Sequence, residues 1–316
     1  MREVEAGRLH FLIRTVLPLL LLALTVMLYE AYAEFRSTLL DQVRAQLRAG
    51  ARDGGAHLAE LLREYRESLL LMARQPSLRA ALDAAPPAVA AEAALPFETW
   101  LFETWLFEAY VPLHGGTVAA IALYAADGRL LARAGAALPQ PGPAANAVAA
   151  DGGTPYWHAD RPLLLLDAPV IPPAGGAPGR LRLMLDLHTL ATRALATLHP
   201  WGDGYAWLID AAGRVVWHPQ PAALGRTFAG DAADRDFARI VERMRRGVEG
   251  SGRYRFTDWS GDGAPPVEKL AGYAPVPLAG SGLALATTVE YAKIAGPIRR
   301  FALQLLLIGS VLALTL

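Results

Sequence analysis

Residues 155 to 161 read PYWHADR, so a phenol, an indole, an imidazole and a guanidinium fall close together: Tyr156, Trp157, His158 and Arg161. Asp186 closes a later apolar run, LRLML, and Tyr124 closes an earlier one, VAAIAL. Aromatic walls with a few charges are what a small-molecule site offers. The chemistry they suggest is recognition: rings to enclose an apolar body, Asp186 to accept hydrogen bonds, Arg161 to meet an anionic group. The plainer reading is that Tyr156 and Trp157 pack a core and Arg161 is a solvated charge at a strand edge. Catalytic motifs are missing. The chain has no GxSxG, HExxH, P-loop or GxGxxG, and His114-Gly115-Gly116 without a nucleophile elbow is only a turn. Its 7 histidines are scattered without metal-ligand spacing, and it has no cysteine. No catalytic residue, cofactor or metal is expected, and the chain is not read as an enzyme.

These residues must be held by a scaffold. The chain has 316 residues, enough for two domains. Its 30 lysines and arginines balance 30 aspartates and glutamates, which argues against a nucleic-acid partner. The excess of apolar residues lies at the ends. Residues 11–29, FLIRTVLPLLLLALTVMLY, are long enough to span a bilayer: nineteen helical residues rise about 28 Å against roughly 30 Å of hydrocarbon. Arg2 and Arg8 precede the run, Arg14 lies near its N-terminal edge, and Glu30 and Glu34 follow it, which puts residues 1–10 in the cytoplasm. A cleaved signal peptide is the alternative, with Ala31-Tyr32-Ala33 as the cleavage pattern. Residues 301–316, FALQLLLIGSVLALTL, read as the start of a second span that continues beyond residue 316 into a cytoplasmic part.

Between the spans, Phe35, Leu39, Val43 and Leu47 are spaced by four, and Leu58, Leu61, Leu62, Tyr65, Leu69 and Met72 by three and four. That period predicts a long helical stalk. Gly50, Gly54 and Gly55 weaken its middle, so the alternative is two helices joined there. The stripe is long for a helix that covers only its own domains, so pairing with a second protomer is expected. A five-residue repeat, FETWL-FETWL-FEAY, spans Phe97 to Tyr110; each copy points about 140° from the last, so no amphipathic face results. Trp100 and Trp105 in it line either a pocket or a core.

The period then changes to that of strands. Runs at 118–124 and 129–133 flank Asp127-Gly128, a hairpin signal, and strands are read at 163–170 and 181–187. The order recurs at 205–209 and 214–217, a helix with Phe237, Ile240, Val241 and Met244 on one face, and strands near 252–256, 269–276 and 283–289. Gly128 aligns with Gly213, Leu123-Tyr124 with Leu208-Ile209, and Ala168-Pro169-Val170 with Ala274-Pro275-Val276. An internal repeat offset by about 85 to 105 residues predicts two similar α+β units in series. His218 precedes a strand-ending proline and is read as structural.

MARQPSLRAAL at the stalk's end, YAWLIDAAGRVVWHP followed by LGRTF, and LAGYAPVP before a closing strand occur in this order between two apolar ends. In this layout the chain resembles the double Cache (dCache) sensors of bacterial transmembrane receptors, from about Tyr29 to Arg300. The resemblance implies an α+β fold: a long N-terminal stalk helix carrying two tandem PAS-like antiparallel-sheet modules, flanked by two transmembrane helices. Its parts are a stalk over 30–80, a membrane-distal module over 81–190 opened by ALYAADGRLLAR, and a membrane-proximal module over 191–298 opened by LIDAAGRVVWHP. It implies a small-molecule sensor in the periplasm, held in the inner membrane, that signals to a histidine kinase, diguanylate cyclase or chemoreceptor output. The alternative is an exported binding protein with one C-terminal anchor.

Amino-acid-binding members carry RxWY, then YxD, then a distant aspartate. Tyr156 sits at the YxD tyrosine and Asp186 at the final aspartate, but His158 replaces the middle aspartate and LPQPGPAAN stands where RxWY belongs. The arginine that grips a carboxylate with two bonds is absent from that stretch. A small polar ligand other than a free α-amino acid is therefore expected.

Overall fold

A computed structural model describes residues 16–83, 116–135, 153–158, 161–227, 235–256 and 265–315. Arg2, Arg8 and Arg14, the FETWL repeat and the LPQPGPAAN stretch lie outside the described residues.

Helix α1, Leu17–Ala73, is one unbroken helix of 57 residues, with Pro18 in its first turn where a missing N–H is no loss. Pro76 ends it: a proline there would clash with the carbonyl of Met72, so the chain turns and Pro76 opens a second helix, α2, Pro76–Asp83. The helix runs without a break through Gly50, Gly54 and Gly55, so the two-helix alternative is set aside. Gly54 is buried, and a Cβ there would lie 2.8 Å from side-chain atoms of Leu198 and Leu285, so the glycine allows their close packing on α1. At Gly272 a Cβ would run into the backbone of Leu47 and Arg48, so helix and strand meet without side chains between them.

Two five-stranded antiparallel sheets pack on α1. The first contains β1 (Val118–Tyr124), β2 (Leu130–Gly135), β3 (Thr154–His158), β4 (Arg161–Val170) and β5 (Gly179–Asp186), in the order β2-β1-β5-β4-β3. Helix α3, Leu187–Leu195, leads on to the second, made of β6 (Tyr205–Ile209), β7 (Val215–Trp217), β8 (Gly250–Phe256), β9 (Val267–Pro275) and β10 (Ala284–Glu290). Its order, β7-β6-β10-β9-β8, repeats the first. The turns agree to the hydrogen bond. Ala125 and Asp210 donate to the carbonyls of Arg129 and Arg214, and Gly128 and Gly213, both at φ near +80°, donate back to Ala125 and Asp210. The internal repeat read from the sequence is thus a repeat of topology.

The stalk's stripe is spent on its own chain. Leu58, Leu62 and Leu69 meet Ile121, Leu123, Leu164 and Leu183 of the first sheet. Val43 and Leu47 meet Leu270 and Val289 of the second, and the Thr287 hydroxyl donates to the Leu47 carbonyl at 2.6 Å. The inference of a partner protomer from this stripe loses its basis. Helix α4, Arg235–Arg245, covers the other face of the second sheet, where Phe237, Ile240 and Met244 join Trp207, Tyr254, Phe256 and Tyr273. Helix α5, Tyr291–Thr315, returns beside the start of α1, with the Phe35 and Phe301 ring centroids 4.1 Å apart. Both ends are long and apolar enough to cross a membrane, and Leu19, Leu22, Met27, Leu303 and Leu307 are exposed on them.

Two elements were not read from the sequence. Strand β3 carries Tyr156 and Trp157. Helix α3 begins at Leu187, where a strand was expected to end, because Asp186 caps it.

Candidate functional site

Side chains alternate across a strand, so each sheet has a face toward α1 and a face away from it. On β5, Leu181, Leu183 and Leu185 face α1, which leaves Arg182, Met184 and Asp186 on the outer face. Strand β1 adds Ala120, Ala122 and Tyr124 there, β4 adds Leu163, Leu165 and Asp167, and β3 adds Tyr156 and His158. The centre of this face is an ion pair the sequence reading did not identify. Arg182 is 1% exposed and donates through Nε and one terminal nitrogen to the two oxygens of Asp167, at 2.7 and 2.8 Å. Two parallel bonds fix the guanidinium plane. The Tyr124 ring lies 5.6 Å from its carbon, and Arg180 stands 3.8 Å from the same carboxylate. Burial by itself would lower the Arg182 pKa; the bonds and charge of Asp167 raise it, and the net direction is up. Burial pushes the Tyr124 phenol up, with Arg182 pulling the other way, so Tyr124 remains a neutral hydroxyl.

Register shows what is peculiar to this sheet. Ala122 pairs with Arg182, which pairs with Asp167; at the matching places of the second sheet, Trp207 pairs with Ala286, which pairs with Tyr273. The second sheet fills its outer face with rings. The first puts an alanine beside a fixed cation and a fixed anion.

The residues singled out from the sequence fall into three groups. Tyr156 and His158 share the outer face, their rings stacked with centroids 6.5 Å apart, and Tyr156 packs against Ala120, Leu165 and Met184. Asp186 lies at the end of the same face, but its oxygens are engaged: one accepts the Thr189 N–H as the cap of α3, the other accepts from Arg161, each at 2.8 Å. Arg161 itself is largely exposed, at 65% of its side chain. Trp157 points to the opposite side of β3. Its indole N–H donates to Asp210 at 2.8 Å, and the Arg214 guanidinium sits 5.2 Å from its ring. Asp210 is the turn aspartate of the second sheet's hairpin and also accepts the N–H groups of Ala212 and Arg214. Trp157 therefore ties the first sheet to the second and does not stand with Tyr156. A usable signal for Arg182 was present: GRLRLMLD alternates polar and apolar residues, and that alternation puts the two charges of LRLMLD on one face.

No family model matches the chain, and no curated protein matches it. Solved structures do. A domain of a sensory box/GGDEF family protein from Vibrio parahaemolyticus matches with a TM-score of 0.53 at 12% identity, over 81% of this chain and 99% of that one. The extracellular domain of mmHK1S-Z3, described as a histidine kinase, matches with a TM-score of 0.51 at 12% identity, over 79% and 95%. Methyl-accepting chemotaxis protein X matches at 0.50 and 16%, over 81% and 99%. With two sheets of one topology strung on a single long helix, the chain has the double Cache fold.

Proposed function

We propose that this chain is the sensory part of a bacterial transmembrane receptor, with two PAS-like modules outside the membrane and the α1 and α5 ends crossing it. The observation that carries this is the outer face of the first sheet, where Arg182, Asp167 and Tyr124 surround alanines instead of the rings that fill the second sheet. In this reading the first sheet belongs to the membrane-distal module, because α1 reaches it last, and it holds a small polar ligand. Tyr156, His158, Asp186 and Arg161 border the site, and Trp157 connects it to the second module. Arg182 does not replace the missing RxWY arginine, because it is 1% exposed and both of its bonds go to Asp167. With His158 also in place of an aspartate, the ligand proposed is a small polar molecule other than a free α-amino acid. The chain itself is read as non-enzymatic, and its output is a cytoplasmic histidine kinase in first place, a diguanylate cyclase or chemoreceptor in second.

Signal cleavage at Ala31-Tyr32-Ala33 is disfavoured, since α1 runs through these residues and Tyr32 and Phe35 pack with Ile294 and Ile298. A reporter enzyme inserted after Gly175 tests the topology. Activity confined to a periplasmic reporter is expected, and a cytoplasmic signal there removes the receptor reading.

A further inference from the structure

Between α3 and the opening strands of the second sheet lies a cavity of about 380 Å³, within the range of small-molecule sites. One wall is α3, whose His188 and Thr192 stand one turn apart, followed by Leu195 and, beyond the helix, His199. The facing wall is Tyr205 of β6 with Trp217 and His218 at the end of β7. This cavity is separate from the first sheet's outer face and shares none of its residues.

The polar groups of the walls have distinct duties. The Trp217 indole N–H donates to the Thr192 hydroxyl at 2.9 Å, which donates to the His188 carbonyl at 2.8 Å. Those bonds hold the walls together. His218 accepts the Gln220 N–H on Nδ1, so its own proton is on Nε2 and is a donor. His188 Nδ1 is buried and has no hydrogen-bond partner among the described residues. The lining contains three imidazoles and, among the described residues, no carboxylate. The adjacent Asp186 is already held by Arg161 and the Thr189 N–H. Behind Tyr205 stands the Lys269 ammonium, which donates to the phenol oxygen at 2.8 Å; a hydroxyl polarised in this way is a stronger donor. The indole of Trp217 and the phenol ring of Tyr205 offer flat apolar surface beside these donors.

We propose that this junction cavity is a second ligand site, for a small organic carboxylate with a planar body. Its carboxylate lies among the imidazoles of His188, His199 and His218, and its body lies between Trp217 and Tyr205. Because His188 and Thr192 belong to the helix that Asp186 caps, a guest here acts on the same helix as the polar face of the first sheet.

The test uses the full chain in lipid nanodiscs, labelled with ¹⁵N-histidine, with benzoate as probe and benzamide as its neutral counterpart. Imidazole resonances are assigned by single His→Gln substitutions. Benzoate is expected to shift the His188 and His218 signals saturably, leave His57 unmoved, and bind well above benzamide. His188→Gln is expected to weaken benzoate about tenfold, the loss of one hydrogen bond to a charged group, and the exposed His199→Gln by less. His199→Gln also keeps the test open if His188→Gln unfolds. Absence of a saturable shift up to about 20 mM benzoate, roughly twenty times a millimolar Kd, overturns the proposal. So does equal binding of benzamide, or full affinity in both folded variants. Replacing Arg182 and Asp167 together leaves this binding in place, so failure here is distinct from failure of the first-sheet site.

Discussion

Asp167→Ala strands a buried cation. Arg182 is 1% exposed, and both of its resolved bonds go to the lost carboxylate. Removing one partner of a buried ion pair costs about 3–5 kcal/mol, because the remaining charge keeps its desolvation penalty without its compensation. Asp167 is not wholly dry, at 13% of its side chain, and water can reach the gap, so the lower end applies, about 3 kcal/mol. For a domain of this size that lowers the melting temperature by roughly 6–12 °C. Arg182→Met is milder, about 1–2 kcal/mol, because Arg180 stands 3.8 Å from the same carboxylate and keeps a cation beside it. Replacing both, Asp167→Leu with Arg182→Met, returns stability to within about 1 kcal/mol of the parent, as for other buried pairs exchanged for apolar residues. The assay is thermal and urea unfolding of a soluble fragment spanning residues 34–297, run as a double-mutant cycle. If Asp167→Ala costs under about 1 kcal/mol, or Arg182→Met costs more than it, the pair is not the buried, asymmetric one described.

Trp157→Phe keeps a ring but removes the indole donor to Asp210. A loss of about 1–2 kcal/mol is expected, together with separate unfolding of the two sheets by two local fluorescence probes; a single unchanged transition counts against Trp157 as the tie. Dimerisation remains a proposal, now through the outer side of α1. Single cysteines at the exposed Ala45 and Ala56 should cross-link between protomers while Val43→Cys and Leu47→Cys do not, and the reverse pattern means that α1 lies differently on its sheets.

The parts of the fold legible in the sequence were those with local punctuation. AADG and DAAG announced their hairpins because only a turn with a positive-φ glycine fits there, and both glycines have it. The amphipathic period of Arg235–Arg245 announced α4 in the same way. Helix α3 was hidden because nine residues follow a strand with no break, and only the capping of Asp186 marks the change. Arg182 and Asp167 were hidden for a different reason. LLLL in β4 is buried on both faces, so no alternation tells which side Asp167 takes until β5 is paired with it. The stripe of α1 was legible as apolar, but period alone does not say whether a neighbouring chain or its own sheets will cover it. Tyr156, His158, Asp186 and Arg161, singled out from the sequence, fall on one face of the first sheet, whereas Trp157, their neighbour, faces the other way by the plain alternation of a strand.

Ligand binding on the first sheet's outer face is tested by a thermal-shift screen on the full chain in nanodiscs, with small organic acids, amines and amino acids, repeated on the Asp167→Leu/Arg182→Met protein. A hit at a hundredfold excess over its Kd should stabilise the parent by about 2.7 kcal/mol. This stabilisation is expected to disappear in the double variant, which keeps its fold, and to survive in His188→Gln. A hit that stabilises the double variant as well as the parent, and is lost only when Trp207 or Tyr273 of the second sheet is replaced, contradicts binding on the first sheet's outer face.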